Sequence, residues 1–267
     1  YCNNSNHNYE KTIIKLNQDI ILNRSFRDKK DNEKYSIHLI YFLPCDVLSR
    51  DFDTNGKIIN IINNINDWFY SKSNKQNIRF DNISETLDIT FIRVDKTLDW
   101  FNQYTSDQNK KEDTASRIEK IILSNKNIFH NFDNKKFIIF FEGWEKRKSL
   151  FTTTCGRARF NGQVSIFYTN NKYLKTGTCV EIKDNNRDYL GSEEQTILHE
   201  LIHLLGFPNN CALNKVSENS FHVNDSEYDL MNKFSGGKYL DYNNDDYYNH
   251  GNAECADLMK SKYLFSF

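Results

Sequence analysis

The chain has 267 residues, enough for one sizeable core, with 35 Lys plus Arg against 36 Asp plus Glu. That balance excludes the net basic field on which nucleic-acid binding depends. No stretch approaches the ~18–20 apolar residues of a membrane span, so no membrane-spanning helix is expected.

Residues 1–34 are rich in Asn and Lys, with one amphipathic stretch at 12–22, and read as an N-terminal extension packed on the domain that follows. The first residue is Tyr, which reads as the start of a mature or trimmed chain. From residue 35 to 267 the pattern is that of a single domain. Ser36–Leu43 is an apolar, β-branched run stopped by Pro44, a buried strand. Residues 58–70 carry apolar side chains at 58, 59, 61, 62, 65, 68 and 69, the spacing of a helix with one buried face. Residues 86–94 alternate as a second strand, and 115–129 form a second helix with Ile118, Ile121, Ile122 and Phe129 on one side. The run at 136–141 is apolar on both faces and is expected to be a central strand. Val164–Tyr168 is a fourth strand, a helix begins at Ser192, and the chain past Gly206 is irregular. This order predicts an α+β fold, a mixed twisted sheet with packed helices.

The last helix carries the chemistry. Its start, Ser192 followed by Glu193 and Glu194, suits a helix N-terminus, and Gly206 suits its stop. Within it His199 and His203 stand four apart, which puts both imidazoles on one face, a turn from each other, able to share one ion. Glu200 lies between them in sequence and is placed to act as general base toward a metal-activated water. The neighbours Ile197, Leu198, Leu201, Ile202, Leu204 and Leu205 are apolar, so the helix is expected to be buried, where an idle Glu would be costly. Asp229-Leu230-Met231 follows at a distance suited to a methionine turn beneath such a site.

These residues resemble the metzincin metallopeptidases: His199, Glu200, His203, Gly206 and Met231 match the extended motif HExxHxxGxxH and its later Met-turn. The resemblance implies a zincin-like fold with an upper half at 35–206, a lower half at 207–267, and one catalytic zinc ion. The chain departs from the motif at Asn209, which stands where the third histidine is expected and is a poor neutral ligand. The stretch 199–207 is similar to the leishmanolysin-like branch, in which an insertion precedes the third histidine. Under that likeness His222 is the third ligand, with Asp225 and then Asn209 as the other choices. Further pieces, among them 41–46, 77–81, Glu142-Gly143, Cys155-Gly156, 222–225 and 240–248, look like a group of secreted bacterial proteins with this motif. Together they span about residues 36–264.

Six cysteines, Cys2, Cys45, Cys155, Cys179, Cys211 and Cys255, are scattered without a CxxC pair. Their even number favours disulfides and hence a secreted, periplasmic or cell-surface protein. The expected pairs are Cys211 with Cys255, Cys155 with Cys179, and Cys2 with Cys45. Asp51, Asp53 and Asn55 before Gly56 look like the first half of a calcium loop, but Ile62 stands where a bidentate Glu belongs, and a capped turn explains them as well. Asp241, Asn243, Asp245 and Asp246 form a second oxygen-rich group that could hold structural calcium. Tyr247 and Tyr248 could donate to an oxyanion or simply pack.

The expectation for function is a secreted, monomeric zinc endopeptidase acting on a peptide or protein. An adhesin or binding module that keeps the fold without useful turnover stays open beside it, because the third ligand does.

Overall fold

The computed structural model describes residues 20–21, 28, 34–103, 112–145, 154–170, 189–218, 220–233 and 237–266. In chain order the elements are β1 (Ile20–Ile21), β2 (Ser36–Leu43), α1 (Lys57–Lys72), β3 (Asn77–Ile78), β4 (Asn82–Ile83), β5 (Thr86–Leu87), β6 (Ile89–Val94), α2 (Leu98–Asn102), α3 (Thr114–Ser124), β7 (Lys135–Phe141), β8 (Gly156–Ala158), β9 (Val164–Tyr168), α4 (Ser192–Leu204) and β10 (Leu264–Phe265). Six strands form one mixed sheet in the order β1-β6-β2-β7-β9-β8. The inner four are mutually parallel, and both edges, β1 and β8, run antiparallel to their neighbours.

Strand alternation divides the inner side chains between two cores. Leu39 and Tyr41 of β2, Ile138 and Phe140 of β7, and Phe167 of β9 face α1 and α4. Ile40 and Phe42, Ile139 and Phe141, and Ile166 and Tyr168 face α2 and α3. Strand β7 is apolar on both sides because both sides are covered, and it lies between β2 and β9 as its sequence implies. Helix α1 buries Ile58, Ile61, Ile62, Ile65, Trp68 and Phe69, one stripe at helical spacing.

Two expected boundaries move. The strand expected at 86–94 is broken at Asp88, whose amide donates to Asp81 O (2.9 Å) and whose side chain is buried. The helix expected at 115–129 ends at Ser124: Asn125 turns its Nδ2 back onto Ile121 O (2.8 Å), and Phe129 reaches the core after a 3₁₀ turn. Helix α4 begins at Ser192 as expected, with Gly191 as its cap. Of the amphipathic stretch at 12–22, Ile20 and Ile21 pair with Val94 and Arg93; the rest lies outside the described residues.

The region after α4 holds itself by other means. Its apolar residues Val223, Leu230, Met231, Leu240, Tyr247, Tyr248 and Leu258 join the core shared by α1 and α4. Its irregular backbone is satisfied by buried aspartates: Asp241 Oδ2 accepts from the amides of Tyr247 and Tyr248 (both 2.6 Å), and Asp257 Oδ1 from those of Asn249 and Met259 (2.8 and 2.9 Å). The Cys211–Cys255 disulfide closes it, as expected. Cys45 and Cys155 are disulfide-bonded too; Cys2 and Cys179, the partners expected for them, lie outside the described residues.

Where β2, β6 and β7 begin, a charge network is sealed inside the protein. His38 Nδ1 meets Asp81 Oδ2 (2.9 Å), His38 Nε2 meets Thr90 Oγ1 (2.8 Å), and Lys135 Nζ binds both Asp28 and Asp81. Burial alone would push Asp81 up, but His38 and Lys135 outweigh it and hold its carboxyl at about 2. Asp88 goes the other way: burial, reinforced by Asp28 and Asp81, pushes it up to about 6, and among the described residues its Oδ1 has no hydrogen-bond partner. A carboxyl raised from 3.8 to about 6 costs nothing when protonated in both states and carries its full cost above about pH 6. Asp88→Asn removes that titration, so its stability relative to wild type should rise by on the order of 2–3 kcal/mol between pH 4 and pH 7. Urea unfolding at both pH values measures this, and a difference independent of pH would contradict it.

Candidate metal centre

Helix α4 projects His199 and His203 from neighbouring turns, with ring centroids 4.6 Å apart. The chain then leaves the helix through Gly206, whose φ of 93° is one that side-chain-bearing residues rarely adopt. Gly206 N donates to His203 O (3.0 Å) and Phe207 N to Ile202 O (3.1 Å), a Schellman closure. This cap does more than stop the helix. It delivers the Phe207 carbonyl to His203 Nδ1 (3.2 Å). His199 is held in the same way from another direction, its Nδ1 lying 2.7 Å from Leu230 O. A carbonyl can only accept, so both Nδ1 atoms carry the proton and both Nε2 atoms present lone pairs.

The third imidazole comes from the loop before the 229–231 turn. His222 stacks over His199 with centroids 5.2 Å apart, and its Nε2 lies 3.3 Å from His203 Nε2. The loop is fixed at the next residue, where Val223 N donates to Met231 O (3.1 Å). Met231 itself is fully buried in the core shared by α1 and α4. Each of the three histidines offers a nitrogen within 4.8 Å of the other two, a group that could hold a metal ion. An ion in tetrahedral coordination with bonds of about 2.0–2.1 Å sets its ligand nitrogens roughly 3.3 Å apart, so the donors fit. Burial holds His199 below its usual range and, with the charges of His199 and His222, holds His203 well below it; burial and His199 push His222 down to about 4. All three are therefore neutral near pH 7, the form that binds metal.

Glu200 is half-buried on the side of α4 that meets β8. A Cβ at Gly156, in β8, would lie 2.7 Å from Glu200 Cγ and 2.7 Å from Thr196 Cγ2, so the edge strand passes directly against the glutamate. The turn leading from β8 to β9 reaches the other end of the site. Asn161 N donates to His203 O (2.9 Å), and Phe160 stacks on Phe221, the residue before His222 (centroids 3.9 Å).

The remaining candidates lie elsewhere. Asn209 donates through Nδ2 to Ala256 O (3.1 Å), and Asp225 groups with Asp245 and Asp246 rather than with the histidines. Tyr247 is fully buried and donates to Asp229 Oδ1 (3.0 Å), while Tyr248 donates to Gln76 Oε1 (2.9 Å), so both phenols pack and tie. Asn55 Oδ1 accepts from Lys57 N (2.9 Å) and Asp51 Oδ1 from Ser49 Oγ (2.8 Å), the capped-turn arrangement. A cavity of about 470 Å³ between α1 and the β3–β10 pair, lined by Asn66, Arg79 and Phe265 among others, includes none of the three histidines. The parts that sequence reasoning missed are the Leu230 and Phe207 carbonyls and the β8 strand.

No protein-family model matches the chain, and no curated protein matches it in sequence. Among solved structures it is similar to catalytically inactive OgpA from Akkermansia muciniphila, in complex with an O-glycopeptide (glycodrosocin) substrate. The TM-score is 0.41 and the identity 12%, over 68% of this chain and 50% of that one. This chain thus matches about half the length of that protein.

The close approach at Gly156 can be tested without an assay of function. Gly156→Ala should cost about 1–3 kcal/mol through overpacking. Thr196→Ala placed in that background should recover part of the loss, because it removes one of the two crowded carbons. Additive losses in a double-mutant cycle measured by urea unfolding would count against the contact.

Proposed function

We propose that the protein is a secreted zinc-dependent endopeptidase of metzincin type, with His199, His203 and His222 as metal ligands and Glu200 as general base. The observation that carries this reading is the convergence of three imidazole nitrogens while backbone carbonyls occupy Nδ1 of His199 and His203. With Nδ1 of His199 and His203 engaged, their Nε2 lone pairs are left free in a cluster whose nitrogens lie within 4.8 Å of one another, an arrangement that a cation stabilises. An all-imidazole set favours zinc among the common ions.

Zinc bound there would supply a water acidified to a pKa near 7 and a Lewis acid for a carbonyl. The protein's own part is proton traffic and orientation. Glu200 takes the proton of the attacking water and returns it to the leaving nitrogen. The Leu230 and Phe207 carbonyls keep His199 and His203 in the tautomer that leaves Nε2 free. Strand β8, the sheet edge beside Glu200, offers backbone groups on which an extended peptide can align. We place the substrate cleft between an upper half, residues 35–206, and a lower half, 207–267. The disulfides and the lack of any helix long and apolar enough to cross a membrane among the described residues are consistent with an extracellular protein.

The test couples metal analysis to peptide cleavage. Wild type should hold one equivalent of zinc and cut an unstructured polypeptide. Glu200→Gln should keep the zinc and lose about 10²–10⁴-fold in rate. His222→Ala should lose both. Cleavage that survives Glu200→Gln would sink the mechanism, and zinc bound without any cleavage by wild type would favour the adhesin reading.

A further inference from the structure

A second group of potential ligands lies three residues past His222. Asp225, Asp245 and Asp246 each offer a carboxylate oxygen within 4.8 Å of the other two. Acidic neighbours on a surface are common and by themselves mean little. Here, however, both carboxylate oxygens of Asp225 are buried and, among the described residues, have no hydrogen-bond partner. The amides of Asp225 and Ser226 favour its ionised form without reaching hydrogen-bond geometry. The leading charges on this carboxylate, those of Asp246 and Asp245, share its sign. A carboxylate whose oxygens are closed off from water, with only two misaligned amides and like charges beside it among the described residues, is a costly arrangement for a fold to retain.

The other two carboxylates are held in place from behind. Asn214 N donates to Asp246 Oδ1 (2.6 Å), and Asn214 Nδ2 donates to Asp245 Oδ1 and Asp246 Oδ2 (both 3.2 Å). Beside them Asp241, 6% exposed, accepts Asp246 N (3.3 Å) at Oδ2 while its buried Oδ1 has no partner. Lys215, adjacent to Asn214, sends its ammonium to Asn210 Oδ1 (2.9 Å) and Glu218 O (3.1 Å).

We propose that Asp225, Asp245 and Asp246 bind a calcium ion, at a site separate from the histidine cluster, which ties the His222 loop to the 241–248 segment. The donors are all oxygen, which selects a hard cation, and they come from irregular loops rather than a rigid frame. Calcium accepts such a shell at six to eight oxygens and bonds of about 2.3–2.6 Å, completed by carbonyls and water, whereas magnesium demands a near-ideal octahedron. The site would add a second hold on the chain just past His222: Val223 is tied to Met231 by a hydrogen bond, and Asp225, two residues on, would be tied through the ion to the 241–248 segment. Calcium binding itself does not depend on the peptidase reading.

The experiment uses the full-length, zinc-loaded protein dialysed into calcium-free buffer. Terbium emission, sensitised by the tyrosines of the 241–248 segment, reports the site, and calcium competes it away. We expect one terbium equivalent, displacement by calcium at least tenfold more effective than by magnesium, and a rise in Tm of roughly 5–10 °C at calcium a hundredfold above its Kd. Asp225→Asn with Asp245→Asn should abolish the emission, while His203→Ala should leave it intact, so a failed zinc centre and a failed calcium site are distinguishable. No terbium signal and no calcium-dependent Tm in wild type would overturn the proposal even if the double variant does not fold. Equal competition by magnesium would overturn the assignment to calcium.

Discussion

The hydrogen bond from His199 Nδ1 to the Leu230 carbonyl is the joint on which the site depends. It connects the only regular element that carries candidate ligands to a turn that has no regular structure of its own. That turn is rigid because its lead residue is a buried anchor: Asp229, fully inaccessible, accepts Met231 N and Tyr242 N (both 2.7 Å) and Tyr247 Oη (3.0 Å). Burial pushes the Asp229 carboxyl up to about 8 despite these donors, so its contribution is one of shape more than of charge. The next carbonyl along, that of Met231, holds Val223 and through it His222. Consecutive peptide groups thus orient one imidazole from the helix and position another from the loop.

The sheet supplies the opposite wall. Because α4 packs on β9 and β8 and against α1, its polar face is turned toward the edge strand, and the lack of a side chain at Gly156 lets that strand approach Glu200. The lower region packs on α4 and α1, whose apolar faces it helps to cover, and is tied further by the β10–β3 pair and by Phe221 stacked on Phe160. Aspartates whose carboxylates collect successive amides do there what strands do in the upper region.

Elements defined by apolar periodicity were legible in the sequence. Ser36–Leu43, Val164–Tyr168 and the stripe of α1 fall where their spacing puts them, because burial on one or both faces writes directly into residue type. Strand β8 was not legible: Gly156, Arg157 and Ala158 carry no β signature, and only pairing with β9 makes them a strand. Asp88 interrupts an alternating run where its amide turns to Asp81 O and its side chain is buried beside Asp28 and Asp81, a setting that the alternation itself does not contain. At the site, the histidines and glutamate announce themselves by side-chain chemistry. The carbonyls that orient them do not, since every residue has one, and the spacing to His222 depends on the path of a loop.

The position of β2 has a consequence for how the molecule is made. It is the first long strand in the chain, yet its partners arrive late: Leu39 pairs with Ile89 on one side and with Ile138 on the other. Such distant parallel pairings close slowly, since large loops must be ordered before any contact repays them. Until β7 docks, β2 is an apolar ribbon with an open edge, the sort of surface that captures other unfinished chains. Helix α4 can settle only after β7 and β9 are in register. The histidine cluster, which needs α4 seated on those strands, therefore depends on a closure between segments far apart in the chain.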